Sequence, residues 1–309
     1  MIDPAVLFFL VGIGAQLLRT ELRLPDALRE TLSIYLLLAI GLKGGTQLAN
    51  ADLGALAPQV MAALALGAGI PLVAYPVLRR ALGRPDAASI AGHFGSVSVV
   101  TFAAAQAFLD RQGVKAEATM PLILALMEVP GILVGVAIAR ARSGARTQWP
   151  ALLHEVLCGK SVYLLLAGVT VGAIIGPQGM VPLAPVFIDA FRGVLCLFLL
   201  ELGLEAARQF SAIRRSGAFL IGFGVLAPPV FALAGALAGH ASGLSVGGTM
   251  LLATLAGSAS YIAAPAAMRI AVPEANPGLS VGLVLGITFP FNLSVGIPLY
   301  WWMAQQLAA

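Results

Sequence analysis

GHFGSVSVVTF, residues Gly92 to Phe102, sets two glycines and two serines inside an otherwise apolar run. AGSASYIAAPAAM, Ala256 to Met268, likewise sets one glycine and two serines in such a run and adds Pro265. Gly95-Ser96-Val97-Ser98 aligns with Gly257-Ser258-Ala259-Ser260 at a separation of 162 positions (257 − 95), and Ile40-Gly41-Leu42 aligns with Leu202-Gly203-Leu204 at the same separation. Val134-Gly135 aligns with Val295-Gly296 at 161 (295 − 134). One such match means little among so many glycines. A shared separation divides the chain into two halves of common pattern.

Composition says where those halves reside. Of 309 residues, 59% are hydrophobic and 10% charged, against about 45–50% and about 25% in soluble domains. With a mean hydropathy of +0.94, this describes an all-α, polytopic integral membrane protein in contact with the lipid bilayer. The runs are continuously apolar, without the alternation that an outer-membrane barrel requires. The net charge of +4 does not point to nucleic acid, because no basic run is interleaved with aromatics. Two cysteines, Cys158 and Cys196, support neither a disulfide framework nor a thiolate metal site. The start, Met1-Ile2-Asp3-Pro4, lacks the basic region of a signal peptide, so the first apolar run reads as a retained span.

Ten spans are predicted, near 5–18, 31–49, 55–78, 87–109, 118–139, 161–176, 186–207, 216–238, 247–268 and 279–304. Fourteen basic residues then fall on one side: Arg19, Arg23, Arg29, Arg79, Arg80, Arg84, Arg140, Arg142, Arg146, Lys160, Arg208, Arg214, Arg215 and Arg269. Four fall on the other: Lys43, Arg111, Lys115 and Arg192. Basic loops stay cytoplasmic, so both termini are expected outside a bacterial inner (plasma) membrane. Five spans per half is an odd number, which turns the second copy upside down. The expected organisation is a first inverted repeat over 1–140, a short cytoplasmic connector over 141–160 and a second repeat over 161–309. Inverted repeats characterise secondary transporters, whose sites lie near the bilayer midplane at broken helices.

The glycine–serine segments are the expected breaks. A break frees backbone N–H groups and aims a positive helix end at the gap. Two inverted copies would aim two such ends at one spot, an anion site built from Gly95, Ser96, Val97 and Ser98 with Gly257, Ser258, Ala259 and Ser260. The serine hydroxyls add donors. Against this stands the simpler reading that glycine and serine only let helices pack closely; two matched segments in matched positions favour the site.

MPLILALMEVPGILVG, Met120 to Gly135, places Glu128 before Pro130, and GITFPFNLSVGIPLY, Gly286 to Tyr300, places Thr288 and Asn292 around Pro290. Each proline removes a backbone hydrogen bond and frees a carbonyl. A mid-span carboxyl is costly unless paired, protonated or ligating an ion. Oxygen ligands from Glu128, Thr101, Thr288 and Asn292 would suit a hard monovalent cation such as sodium. The alternative is that Glu128 bonds a neighbouring helix and the prolines only kink. Lys43 and Glu205 read as rim residues, Glu201 as a residue of a domain interface, and His93 as a histidine bonded between helices. No nucleophile elbow, zinc-binding helix or phosphate loop is present, so an enzyme is not expected, and no cofactor beyond a coupling ion.

Across these four segments and over both halves, the chain resembles the Sbt-type sodium-dependent bicarbonate symporter family. The resemblance implies an elevator-type fold in which a core domain moves against a gate domain, commonly in a homo-trimer. It also implies import of bicarbonate, held between the broken helices, with sodium nearby. Cyanobacterial members carry a long cytoplasmic segment between the halves and answer to a PII-like regulator. The connector of some twenty residues here departs from that pattern and argues against such a partner. The alternatives are a sodium-coupled symporter of another small anion, a sodium/proton exchanger using Glu128 and, in a different class, a membrane-embedded enzyme or a scaffold.

Overall fold

The computed structural model describes residues 4–48, 56–141, 149–215 and 217–308. Among these residues all regular structure is helical. The helices are α1 (Pro4–Leu17), α2 (Asp26–Leu48), α3 (Leu56–Leu78), α4 (Arg84–Gly95), α5 (Val99–Gln112), α6 (Met120–Arg140), α7 (Trp149–Leu157), α8 (Lys160–Met180), α9 (Phe191–Arg215), α10 (Gly217–Ala241), α11 (Val246–Ala256), α12 (Ala263–Ala271) and α13 (Pro277–Ala308). Among the described residues, six helical stretches are long and apolar enough to cross a bilayer: α3, α4 with α5, α6, α8 with its following turn, α10 and α13. The chain is thus a multi-pass membrane protein. The other four expected spans fall short for identifiable reasons. The helix α1 and the first half of the ninth run, α11, are apolar but short. The helices α2 and α9 carry polar and charged residues along their length, among them Lys43, Glu201 and Glu205.

Three local readings change. The sixth span does not end at Gly176: the helix bends there, with Gly176 at φ 61°, and continues through Pro177 to Met180. A positive φ suits a residue without Cβ. Residues 186–189, expected to open the seventh span, belong instead to a π-helical turn at Pro185–Asp189. The charged connector holds a helix, α7, whose Leu152 and Val156 bury against Ile132, Val136 and Ala139 of α6 and Ala264, Ala267 and Met268 of α12. The connector's Arg142 and Arg146, like the first three residues, lie outside the described residues.

Glycines decide which helices meet. The helix α2 packs on α8 through Gly41 and Gly45 against Gly168 and Gly172, and α1 packs on α9 at Gly12 and Gly203. A Cβ at Gly45 would stand 2.1 Å from the Val169 carbonyl oxygen, and one at Gly203 would stand 2.1 Å from that of Phe9. Only glycine allows such backbone approach in an apolar bundle. In the rest of the molecule α3, α4 and α6 pack together, as do α10, α11 and α13. The first helix of one half therefore lies on the second helix of the other, and the remaining helices of each half form a second group.

Polar contacts mark two ends of the bundle. At one end Arg140 bonds the Ala271 carbonyl (2.8 Å) and pairs with Glu274 (3.0 Å), Lys160 pairs with Glu30 (3.5 Å), and the Asn276 N–H donates to Asp86 (2.7 Å). At the other, Lys43 pairs with Asp110 (3.1 Å), Arg192 donates to the Ala107 carbonyl (3.4 Å), and the Ser245 N–H donates to Glu117. Lys43 and Glu205 do not pair with each other; Glu205 binds Arg208 and Gln209 on its own helix.

Candidate functional site

The fourth run is interrupted where its glycine–serine segment falls. Helix α4 stops at Gly95, Ser96 is extended (φ −90°, ψ 173°), and Ser98, also extended, caps α5 by accepting from the Thr101 N–H at 3.1 Å. Serine favours this role because its short side chain replaces the missing helical acceptor. Packing sets the position of the stop. A Cβ at Gly131 of α6 would stand 2.0 Å from the Gly95 carbonyl carbon, and one at Gly95 would stand 2.2 Å from the Pro71 ring. Within the new first turn, the Val99 and Val100 amides have no partner among the described residues.

The ninth run is interrupted over a longer stretch, between Ala256 of α11 and Ala263 of α12. Ser260 accepts from the Ala264 N–H (3.2 Å) and so steadies the start of α12. Asn292 of α13 donates from Nδ2 to the Gly257 carbonyl (2.9 Å) and accepts the Tyr300 hydroxyl (2.6 Å).

The two interruptions touch. The Ser98 N–H donates to Ser258 Oγ (3.0 Å), and the Ser260 N–H donates to the His93 carbonyl (2.8 Å). Two helix N-termini, of α5 and α12, thereby flank one buried place. Ser96, Ser98, Ser258 and Ser260 are all buried, as are Gly95, Val97, Gly257 and Ala259. Their hydroxyls are not equivalent. Ser96 donates to the Glu128 carbonyl (3.0 Å) and Ser258 to the Leu255 carbonyl (2.8 Å). Ser98 and Ser260 only accept from the protein, so each keeps an O–H to give.

The expected cation ligands are divided among several places. Thr101 donates to Ser98 Oγ at 2.9 Å and so belongs to the first break; Asn292 belongs to the second. Thr288 donates to the Gly224 carbonyl of α10 (3.0 Å). Glu128 is 1% exposed; its backbone carbonyl accepts from Ser96, while its carboxyl lies beside Ser161 in the first turn of α8 and leaves Oε2 without a partner. Among the described residues, no hydrogen bond joins that carboxyl to Thr101, Thr288 or Asn292. No cluster of three His, Cys, Asp or Glu is found among them either, so any cation held here rests largely on neutral oxygens.

Several residues with a place at the site were not read from the sequence. Ser161 sits at a predicted span end, where a serine attracts no notice. Tyr300 looks like an interfacial aromatic, yet it is fully buried on Asn292. Tyr261 follows the GSAS segment directly, but its repeat counterpart is Val99, so matching the halves hides it. His93 differs from expectation: its Nδ1 bonds the Ser89 carbonyl one turn back on its own helix (2.8 Å), and only its peptide carbonyl reaches across to the other break. Glu201 is buried with Oε2 unpartnered.

A cavity of about 460 Å³ leads toward this place from the Arg140–Glu274 end of the bundle. Its rim holds Asp26, Arg29, Glu30, Lys160 and Glu205, and its inner wall holds Tyr261 and Ile262 of the second break.

The fold, the paired interruptions and the polar equipment agree with one family, whose model matches residues 4–305. The chain belongs to the Na+-dependent bicarbonate transporter superfamily. No curated protein matches it as a relative. Membership in a superfamily of sodium-dependent bicarbonate transporters points to transport of bicarbonate with sodium, and to a carrier rather than an enzyme.

Proposed function

We propose that this protein is a symporter that imports bicarbonate with sodium, and that the two helix interruptions form one anion site. The observation that carries this reading is the reciprocal contact of the breaks, Ser98 N–H to Ser258 and Ser260 N–H to His93. In this reading the positive ends of α5 and α12 and the unpartnered amides of Val99 and Val100 serve one spot. Bicarbonate is small, planar and rich in acceptors, which matches backbone amides and the free O–H groups of Ser98 and Ser260. No arginine stands at either break, which suits a ligand that must be released. Gly95, Ser96, Val97, Gly257, Ser258 and Ala259 shape the site rather than supply its main donors. Nitrate, formate or a small carboxylate would meet the same donors.

Sodium is the coupling ion in this reading. An inside-negative potential opposes entry of a monovalent anion by about 2.3 kcal/mol per 100 mV. One sodium cancels that cost, and two make the potential a driving force. Thr101 and Asn292 lie close to the anion place; Glu128 and Thr288 would complete the cation set after rearrangement, with Glu128 leaving Ser161. The unpartnered Oε2 of Glu128 supports a second reading, sodium/proton exchange, in which that carboxyl carries the proton.

Ten spans in two inverted repeats, 1–140 and 161–309, are supported by the helix partnerships, α1 with α9 and α2 with α8. An elevator follows naturally: the glycine-seamed group holds still as the gate while the group bearing both breaks slides. The cavity then marks the inward-open end, and the basic excess at that end supports both termini lying outside the bacterial inner membrane. A homo-trimer is the assembly that the family resemblance implies, testable by mass measurement in detergent.

The reading is tested by calorimetric titration of bicarbonate into the purified protein in sodium and in potassium buffer, at a pH where little carbon dioxide is present. Saturable binding in sodium, weakened in potassium, is expected. Equal binding in both overturns the coupling, and binding in neither overturns the anion site.

A further inference from the structure

We infer that Tyr261 is an anion-binding residue, donating its phenolic hydrogen to the ligand from the cytoplasmic side of the site. The inference rests on the anion site proposed above and names a specificity-determining group within it. Tyr261 stands in the non-helical stretch between α11 and α12, directly after Ser260. Its ring packs edge-on against Phe289 at 5.6 Å and 70°, and Phe289 in turn packs edge-on against Phe9 at 5.5 Å. The ring is therefore fixed from behind. One side of the residue lines the inner wall of the cavity of about 460 Å³. The hydroxyl is buried beside Ser98 and completes no well-formed hydrogen bond.

An orphaned hydroxyl in such a place has a chemical meaning. Ser98 Oγ already accepts from the Thr101 N–H (3.1 Å) and the Thr101 hydroxyl (2.9 Å), so its acceptor capacity is used and it can only donate. Tyr261 likewise has a hydrogen to give. Two O–H donors thus meet at the first turn of α5, where the Val99 and Val100 amides are two further donors without acceptors. The Tyr261 oxygen can take the Ser98 hydrogen, but no acceptor among the described residues meets the phenolic hydrogen or the two amides. A ligand that is all acceptor at one edge, such as a carboxylate-like pair of oxygens, completes all of these bonds at once. The aromatic ring also closes the anion from the cavity, so release toward the cytoplasm requires Tyr261 to move.

Tyr261→Phe removes the hydroxyl and keeps the ring on Phe289. In proteoliposomes under a sodium gradient, the expected result is a rise of about tenfold or more in the bicarbonate half-saturation, the loss of one hydrogen bond to a charged group. The sodium half-saturation at saturating bicarbonate should stay unchanged, as should the melting temperature in detergent without bicarbonate. Tyr261→Leu, which removes ring and hydroxyl, should match Phe in half-saturation and in addition release counted bicarbonate faster into sodium-free buffer. An unchanged bicarbonate half-saturation in Tyr261→Phe overturns the inference while leaving the proposed function in place. Wild-type protein that takes up no bicarbonate overturns both. A rise in half-saturation matched by a large fall in melting temperature would assign Tyr261 a packing role and overturn the inference as well.

Discussion

The two helix interruptions occupy equivalent places in the two halves, yet they are built differently. Gly131 of α6 backs Gly95 at the first, and Asn292 of α13 backs Gly257 at the second. These pairs are related by the separations found in the sequence, 162 (257 − 95) and 161 (292 − 131). The first break is short: Gly131 and Gly95 meet backbone on backbone, where no side chain fits, and the Ser96 hydroxyl bonds the Glu128 carbonyl beside them. The second is longer and held by a hydrogen bond, with Tyr261 and Ile262 against the cavity. A steric seam is rigid, whereas a hydrogen-bonded loop can change partners. Under the proposed anion-site reading, the first break would position the anion and the second would admit and release it.

The largest way to break this comparison is Gly131→Ala. Its Cβ would lie 2.0 Å from the Gly95 carbonyl carbon and 2.4 Å from the Ser96 nitrogen, and backbone cannot step aside as a flexible side chain can. Overpacking of this kind costs about 1–3 kcal/mol or more. Loss of most folded protein on size-exclusion chromatography is expected, whereas Gly14→Ala, with open space at its Cβ, should fold normally. Folded, fully active Gly131→Ala would show the first seam to be no more rigid than the second.

Next in size is Asn292→Leu, which strips partners from the Gly257 carbonyl and the Tyr300 hydroxyl. Leaving buried polar groups unpaired costs about 1–3 kcal/mol. Thermal melting in detergent should fall by several degrees, and uptake should fall with it. Tyr300→Phe, which leaves the bond to Gly257 intact, should lower melting by much less.

Smaller effects separate the serines. Ser258→Ala removes the acceptor for the Ser98 N–H and so uncouples the breaks; a severalfold rise in the bicarbonate half-saturation is expected. In Ser96→Ala the lost bond is to the Glu128 carbonyl, inside one half, so melting should fall by about 1 kcal/mol of stability with little change in half-saturation. Equal effects on half-saturation would erase the distinction.

The smallest effect concerns the far end of α12, where Arg140 holds the Ala271 carbonyl and Glu274. The backbone N–H of Glu274 itself, and then Arg140, hold this carboxyl below its ordinary value. A lowered folded-state value means that the contribution is present above the unfolded value and lost as pH falls through the folded one. Melting should decline slightly on acidification below the usual carboxylate range, and less in Glu274→Gln. The α5 end, tied by Lys43 and Asp110 in partial exposure, should gain little from its pair.

How much of this was legible follows from what sequence encodes locally. Glycine and serine inside apolar runs disfavour helix wherever they occur, so both breaks could be read, and their spacing suggested a repeat. Partner choice could not: that Ser96 serves Glu128 while Ser98 serves α5 depends on which backbone groups, 32 and three positions away, the fold brings to each hydroxyl. Glu128 was legible as a costly buried carboxyl, but its place beside Ser161 depends on how α6 lies against α8. The connector hid α7 because nine residues give too little periodicity amid charge. Tyr261 was hidden because the symmetry that revealed the site maps it onto a valine.

The central claim is one anion site, made by both breaks and coupled to sodium. It is tested most directly by uptake of radiolabelled bicarbonate into proteoliposomes under an imposed sodium gradient, with potassium in place of sodium as the control and Ser258→Ala in parallel. Saturable, sodium-dependent uptake with a higher half-saturation in Ser258→Ala is the expected result. Uptake indifferent to sodium, or a half-saturation untouched by Ser258→Ala, would contradict it.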